Sequence, residues 1–465
     1  MPLSSVLNVS ASISSANPSA AGFGEPLLVA YHTYYTDLVR EYSTLAGMVS
    51  DGFKTTDAAY LMAEVVASQS PCVPKWKIGR RQHPNTQTLQ ITCTSTSATD
   101  IYVIGLRLPG AASFTITGPG VSGVPGMAST GVPATDAASL TTAINATLTA
   151  IGSTHTAAHV GAVITITAAT AGKLIDIQFD RAHTTFADTT VDGTLGSSTN
   201  TATDLAAIYA FDPAWYGLAL DSQSAAEIAA AAAWTEANAA GNAGSIFVWN
   251  NSDDINVAAP TSDTTSAFYH TKNLNYARSP GIHAHTSLLA YTGAAWMGNL
   301  FPTVAGSEQW AYKTLVGVPT DTLTVGQVAN INAKNGSVYT AIAGVSVTQF
   351  GNVPNGEWID IIRGTDACVN TLQIQAFAMQ LGNKKVPFTD AGMDMYRAVF
   401  NGVITQFQDS GFLATSPAPV ITLPSVSQLP ATARAARTIP AGYAFINAQL
   451  AGAIVYASLA VQLTS

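Results

Sequence analysis

Two runs of the chain alternate between apolar and polar positions. Leu7, Val9, Ala11 and Ile13 alternate with Asn8, Ser10, Ser12 and Ser14, while Val455, Ala457, Leu459, Val461 and Leu463 share one face opposite Tyr456, Ser458 and Gln462. A period of two predicts extended strands. A Ser/Ala/Pro/Gly stretch over residues 14–24 ties the first run to the body, and a Pro-rich linker over 416–440 precedes the second. Such tethers leave a strand free to leave its own subunit. A tethered strand must pair, either as an edge of its own sheet or by completing the sheet of another chain.

The helical period is clearest where Met393, Tyr396, Phe400, Val403 and Phe407 recur at three-and-four spacing, opened by Thr389 or Asp390 as N-cap. The preceding segment, EWIDIIRGTDACVNTLQIQAFAMQL, predicts a second helix to pack against it. Residues 22–84 read as α/β: helical stretches over DLVREYSTLAGMVSDGF and TTDAAYLMAEVVAS, then a strand from Lys75 to Arg80. From about 86 to 203 the chain turns to Thr, Ala, Ser and Gly, with alternating runs TLQITCTSTS, SFTITGPG, AVITITAAT and LIDIQFD around one helix, DAASLTTAINATLTAI. The α/β pattern resumes with a strand at 215–220, a helix from Ser222 to Ala240, the strand SIFVWNN and the helix TTSAFYHTKNLN; short strands and helices then alternate from 281 to 345. The expected fold class is therefore α/β (α+β) multidomain. Its parts are an N-terminal arm (1–21), a discontinuous α/β core (22–85 and 204–415), an inserted β-rich α+β domain (86–203), and a linker with a C-terminal strand arm (416–465).

Composition adds a constraint on the surface. Of 465 residues 47% are hydrophobic, enough for several cores, but only 10% are charged, against roughly 25% in a typical soluble protein. A surface poor in Lys and Glu loses little side-chain entropy when buried against copies of itself, which suits a protein that works assembled. A net charge of −9 with 19 Lys and Arg argues against nucleic acid as a partner. The densest basic group, Lys75, Lys77, Arg80 and Arg81, reads as a solvated strand end rather than an anion site. Cys72, Cys93 and Cys368 have neither metal-ligand spacing nor the number for a disulfide scaffold, and fit a reducing cytoplasm. MPLSSVLNVSASI lacks the features of a signal peptide. The uncharged stretch 444–463 is interrupted by Asn447, Gln449 and Gln462 and alternates from Val455, so no membrane insertion is expected.

Catalytic chemistry is not found. His270, His283 and His285 fall within sixteen residues but lack a Cys or Glu at ligand spacing, and His155 and His159 lie in a Gly/Thr region. Asp360 and Asp366 are spaced wrongly for one helix face and read as residues of a helix start; Asp253 and Asp254 read as a polar turn. No nucleophile elbow, phosphate-binding loop or dinucleotide fingerprint occurs in a suitable context. Trp296, Trp310, Tyr339 and Trp358 are expected in the core, with an interface role as the alternative. No enzyme activity, metal or cofactor is expected; an enzyme built on the His270/His283/His285 group would need bound metal.

One order of motifs is more specific. A Gly351–Gly356 turn is followed by the acidic Trp358-Ile359-Asp360-Ile361-Ile362-Arg363-Gly364-Thr365-Asp366 helix start and a Lys384-Lys385-Val386-Pro387-Phe388-Thr389-Asp390-Ala391-Gly392 link. This order resembles the conserved C-terminal part of contractile-tail sheath proteins of bacteriophages. Gln69-Ser70-Pro71, Gly79-Arg80 and the strand start Asn335-Gly336-Ser337-Val338-Tyr339-Thr340 match as well. The resemblance covers roughly residues 25–84 and 204–463, and not the insertion in any residue-specific way. It implies subunits that polymerise as hexameric rings in a helical sheath around a tail tube, with baseplate and tail terminator proteins as further partners. Contraction then drives the tube through a host envelope, in a virion assembled in the host cytoplasm. It also implies that the insertion protrudes outward and that the arm residues Leu7, Val9, Ala11, Ile13, Val455, Ala457, Leu459, Val461 and Leu463 form intersubunit strands. Arg363, Lys384 and Lys385 become candidates for a tube-facing or interface role, because charge is scarce and the lysines follow a helix end. The residues themselves leave open another self-assembling β-rich protein, such as a non-contractile tail or surface-layer subunit.

Overall fold

The computed structural model describes residues 23–453 apart from 122, 180–185, 193–197, 240–243 and 284–289. The expected arm strands at 7–13 and 455–463, and His285, lie outside the described residues. The chain divides into a larger unit, Gly22–Gly364, and a smaller one, Thr365–Gly452.

The larger unit opens with β1 (Pro26–Tyr31), β2 (Val39–Tyr42), α1 (Leu45–Ser50), α2 (Ala58–Ala67) and β3 (Trp76–Arg81). The expected helix over 37–53 is thus split into the strand β2 and the short helix α1. Val39 and Tyr42 turn into the two cores flanking the sheet, and the segment pairs antiparallel with β3, a long-range gain that overrides local helix propensity. Helix α1 begins only at Leu45, where the Thr44 side chain accepts from the Gly47 N–H.

Next come β4 (Gln87–Cys93), β5 (Ile101–Tyr102), β6 (Ile104–Arg107), β7 (Thr115–Ile116), β8 (Met127–Ala128), α3 (Pro133–Ala150), β9 (Thr156–Val160), β10 (Val163–Thr167), β11 (Asp176–Phe179) and β12 (Phe186–Asp192). An antiparallel sheet in the order β12-β4-β10-β9 lies with a smaller sheet, β11-β6-β7, and a short β5–β8 pair. Helix α3 turns Ala137, Leu140, Ile144 and Leu148 onto Ile91, Ile104, Ile164 and Ile166, so this segment has a hydrophobic cluster of its own.

The chain continues through α4 (Ser198–Phe211), β13 (Gly217–Leu220), α5 (Ala225–Ala239), β14 (Ile246–Phe247), β15 (Trp249–Asn251), α6 (Ala267–Asn273), β16 (Gly281–His283), α7 (Thr292–Leu300), α8 (Val325–Asn332), β17 (Ser337–Ile342) and β18 (Val345–Gln349). One sheet runs β14-β13-β1-β3-β2 and another β15-β16-β17-β18; Val248 alone separates β14 from β15, and its N–H donates to Leu218 O at 2.9 Å. Apart from edge strands β2 and β18, these strands are parallel. Alternation along β1 sends Leu28 and Ala30 to one core, with residues of α2 and α7, and Leu27 and Val29 to the other, with residues of α4, α5 and α6. Both faces are covered, as parallel sheets require. At Gly281 a Cβ would collide with the Trp249 indole, so only glycine lets β16 pass there.

Two histidines in this unit are buried and held neutral. His32 lies among Tyr34, Tyr35 and Phe53, and neither ring nitrogen has a partner among the described residues; burial, then Arg80 and Arg40, lowers its pKa to about 3. His155 is lowered to about 4 by burial. The unfolded chain takes these protons near pH 6.5 and the folded chain does not, so the stabilisation is whole above pH 6.5 and is lost as pH falls through this range. We expect the larger unit to lose on the order of 2 kcal/mol per histidine by pH 4, and His32→Phe to remove its share of that slope. Urea titrations at a series of pH values measure it; an unchanged slope in the variant would count against a buried neutral His32.

The smaller unit contains most of α9 (Ile359–Gly382), which begins in the larger unit, then α10 (Asp390–Asp409), β19 (Val420–Thr422), α11 (Ala431–Ala436) and β20 (Phe445–Asn447). Thr389 takes the N-cap position of α10 without a side-chain cap bond, and Asp390 sits in the first turn. Of the expected stripe, Met393, Val403 and Phe407 are buried, while Tyr396 and Phe400 are half-buried. Val403, Ile404, Phe407, Phe412 and Leu413 form the core of this unit. Gly392 is required because a Cβ there would collide with the Pro387 carbonyl as the link turns into α10. Among the described residues no helix is long and apolar enough to cross a membrane.

Candidate functional site

Charge is scarce in this chain, so its placement separates internal ties from groups left for a partner. The basic group of β3 is internal. Lys77 is 5% exposed and its Nζ lies 2.8 Å from Asp212 Oδ2; Lys75 Nζ lies 2.5 Å from Glu25 and 2.9 Å from Glu41. Arg81, 1% exposed, meets Asp221 at 2.9 Å, Glu227 at 2.6 Å and Asp204 at 3.8 Å. Burial alone would lower its pKa, but Asp221 and Glu227 outweigh that and hold the guanidinium charged. Of the expected solvated strand end, Lys77 and Arg81 are buried in ion pairs with distant residues, whereas Lys75 pairs with Glu41 at the surface and Arg80 donates to the exposed Thr36 and Asp37 carbonyls.

Arg363 is also internal. Expected at a tube-facing surface or an interface, it is 1% exposed, with Nη1 at 2.6 Å from Glu308 Oε1 and Nη2 donating to Phe301 O at 3.1 Å and Thr303 O at 3.2 Å. Those carbonyls follow α7, whose end needs donors, and so consume the cation. Nearby Asp360 lies in the first turn of α9; burial, reinforced by Glu308, pushes it up to about 6, with backbone amides opposing.

Lys384 and Lys385 are different. Both are exposed on the link between α9 and α10, and neither makes an ion pair among the described residues. They border a groove of about 640 Å³ within the smaller unit, together with Arg437 and the side chains of Phe388, Tyr396 and Phe400. Arg437 ends α11 in a left-handed conformation (φ 55°). The convergence of Arg437 with the lysines carries no local sequence signal, being created by the return of the chain after β19.

The same unit carries an open sheet. β19 and β20 pair antiparallel as a two-stranded ladder, with no further strand on either side among the described residues. Leu413 and Leu450 extend the contact, and Val420 and Phe445 are 58% and 54% exposed. Two strands alone are marginal in water, so such a sheet gains from added strands.

Of the histidine group, His270 is exposed on α6 and His283 is buried beside Asn256 and 3.7 Å from Asp321; no group of residues able to hold a metal occurs among the described residues. Asp253 is buried and bonded within the turn that starts at Asn251. Trp296, Trp310 and Tyr339 are core residues, whereas Trp358 is half-buried and outside the core clusters.

No protein-family model and no curated protein sequence matches the chain. Among solved structures, the cryo-EM helical sheath of the anti-feeding prophage (AFP) in its contracted state matches with a TM-score of 0.54 at 10% identity, covering 98% of this chain and 98% of that one. The contracted sheath complex of the extracellular contractile injection system PVC matches at 0.49 and 9% identity, over 98% and 96% of the two chains. The sixfold-symmetrised AFP baseplate matches at 0.41 and 14% identity, over 57% and 72%. The chain thus has, along nearly its whole length, the fold of a contractile-sheath protein.

Proposed function

We propose that this chain is the structural subunit of a bacteriophage contractile tail sheath, which polymerises around a tail tube and contracts to drive the tube through a host envelope. A fold shared over 98% of the chain with a contracted helical sheath carries the proposal. Assembly would proceed as hexameric rings stacked by a heterologous, non-closing interface along the tail axis, ending on baseplate and terminator proteins. Contraction would move packed cores as rigid bodies between two arrangements, without a catalytic group.

In this reading residues 22–85 and 204–415 make the sheath core, 86–203 an inserted outer domain, and 1–21 and 416–465 the arms. The open β19–β20 sheet supports a place for such arms, since a strand from a neighbour would satisfy its free edges. Lys384 and Lys385 would face the partner that the sheath encloses.

Negative-stain electron microscopy of the purified chain over a range of concentrations tests the proposal: hollow cylinders or stacked rings are expected, and discrete monomers under all conditions would overturn it. Deleting residues 1–14 or 452–465 should leave a folded chain that cannot polymerise. Normal tubes from either deletion would refute the interlocking of arms.

A further inference from the structure

We infer that the groove bordered by Lys384, Lys385 and Arg437 is a docking site for an acidic linear segment of a partner protein, with apolar anchors between its carboxylates. Three cations border it and no carboxylate lines it, in a chain whose net charge is −9. The nearest acids on α10 are engaged elsewhere: Asp390 accepts from the Val426 N–H at 2.7 Å, and Asp394 lies 3.5 Å from Arg397. None of the three cations is ion-paired among the described residues, and an acidic visitor supplies that partner.

Aromatic side chains line the groove beside the polar Gln380 and Asn383. Phe388, Tyr396 and Phe400 stand half-buried along it, with the Tyr396 and Phe400 rings 6.0 Å apart. Side chains of this kind anchor apolar residues of a peptide at low entropic cost. The volume, about 640 Å³, lies within the range of ligand pockets, roughly 300–1,000 Å³. Phosphate backbones would need a longer basic track than the three cations that line this groove.

The inference rests on the partner-facing role of the two lysines and not on polymerisation. Its test uses the dispersed full chain and fluorescence anisotropy of a labelled short peptide in which leucines are followed by glutamates. The same peptide with glutamine for glutamate, and an oligothymidylate, are the comparisons. Binding of the glutamate peptide is expected to weaken about tenfold or more in the glutamine version, in Lys384→Glu/Lys385→Glu, and on raising salt. Both positions are exposed in a link, so the variant's thermal unfolding should match that of the parent. Equal binding of the two peptides, no binding at all, or tighter binding of the oligothymidylate would each overturn the inference. Either result is independent of whether the chain forms cylinders, so the sheath proposal stands or falls separately.

Discussion

Arg81→Ala is expected to destabilise the larger unit by about 3–5 kcal/mol at neutral pH, the range for leaving buried charge without its partner. The guanidinium serves four groups: Asp221, Glu227 and Asp204 as ionic partners, and Thr201 Oγ1, to which Nη2 donates at 2.8 Å. Glu227 is 0%, Asp204 1% and Thr201 1% exposed, so water cannot replace what the arginine supplies. Removing it leaves three carboxylates facing one another in a low-dielectric site; the partly exposed His83 lies 2.9 Å from Asp204.

The position explains why the site is built this way. Asp204 also accepts from the backbone N–H of Gln82, at 3.1 Å, and of His83, so α4 is tied to the chain as it leaves β3 for β4. Thr201 and Asp204 lie on α4, so the cluster ties α4 to the segment that follows β3. Arg81→Ala should raise the rate of limited proteolysis between β3 and β4 more than that within β4–β10. Pairing Arg81→Met with Glu227→Gln should recover part of the loss by removing one of the stranded charges.

Why this cluster was not legible in the sequence is a matter of distance. The partners of Arg81 lie 120, 140 and 146 residues away, and no local pattern marks one arginine in a basic strand as the one that turns inward. Helix α10 was legible, because a five-residue stripe at three-and-four spacing is a local property. The strand pattern of β4, β10 and β11 was legible for the same reason, their alternation being fixed by the sheet they line. β2 was not: its pairing with β3 is decided by tertiary contacts. The Pro-rich stretch 416–440 carries β19 and α11, since prolines that end a helix also frame short elements. Lys384 and Lys385 were visible as scarce cations, but the groove they border depends on Arg437, some fifty residues on, after the chain has crossed its own unit.

Arg363→Ala is the second large effect expected, again about 3–5 kcal/mol, and it separates two meanings of a scarce charge. A surface arginine awaiting a partner could be removed with a change within about 0.5 kcal/mol. Arg363 instead closes the end of α7 through the Leu300, Phe301 and Thr303 carbonyls, stands 5.0 Å from the Phe301 ring, and pairs with Glu308. Glu308 in turn accepts from the Gly306 N–H at 2.7 Å and the Trp310 indole at 3.3 Å, which links the pair to the Trp296–Trp310 core. Lysine cannot reproduce this fork, so Arg363→Lys should recover less than half of the loss. Glu308→Gln deletes the charge but keeps one acceptor oxygen, for either Gly306 or Trp310, which bond to different carboxylate oxygens, and should cost less than Arg363→Ala. In a double-mutant cycle, Arg363→Met with Glu308→Met should be markedly milder than the sum of the singles, with a coupling of about 1–3 kcal/mol by urea denaturation. Additive losses would mean that the two side chains stabilise the fold separately, and the geometry of the pair would then be secondary to the helix end that Arg363 caps.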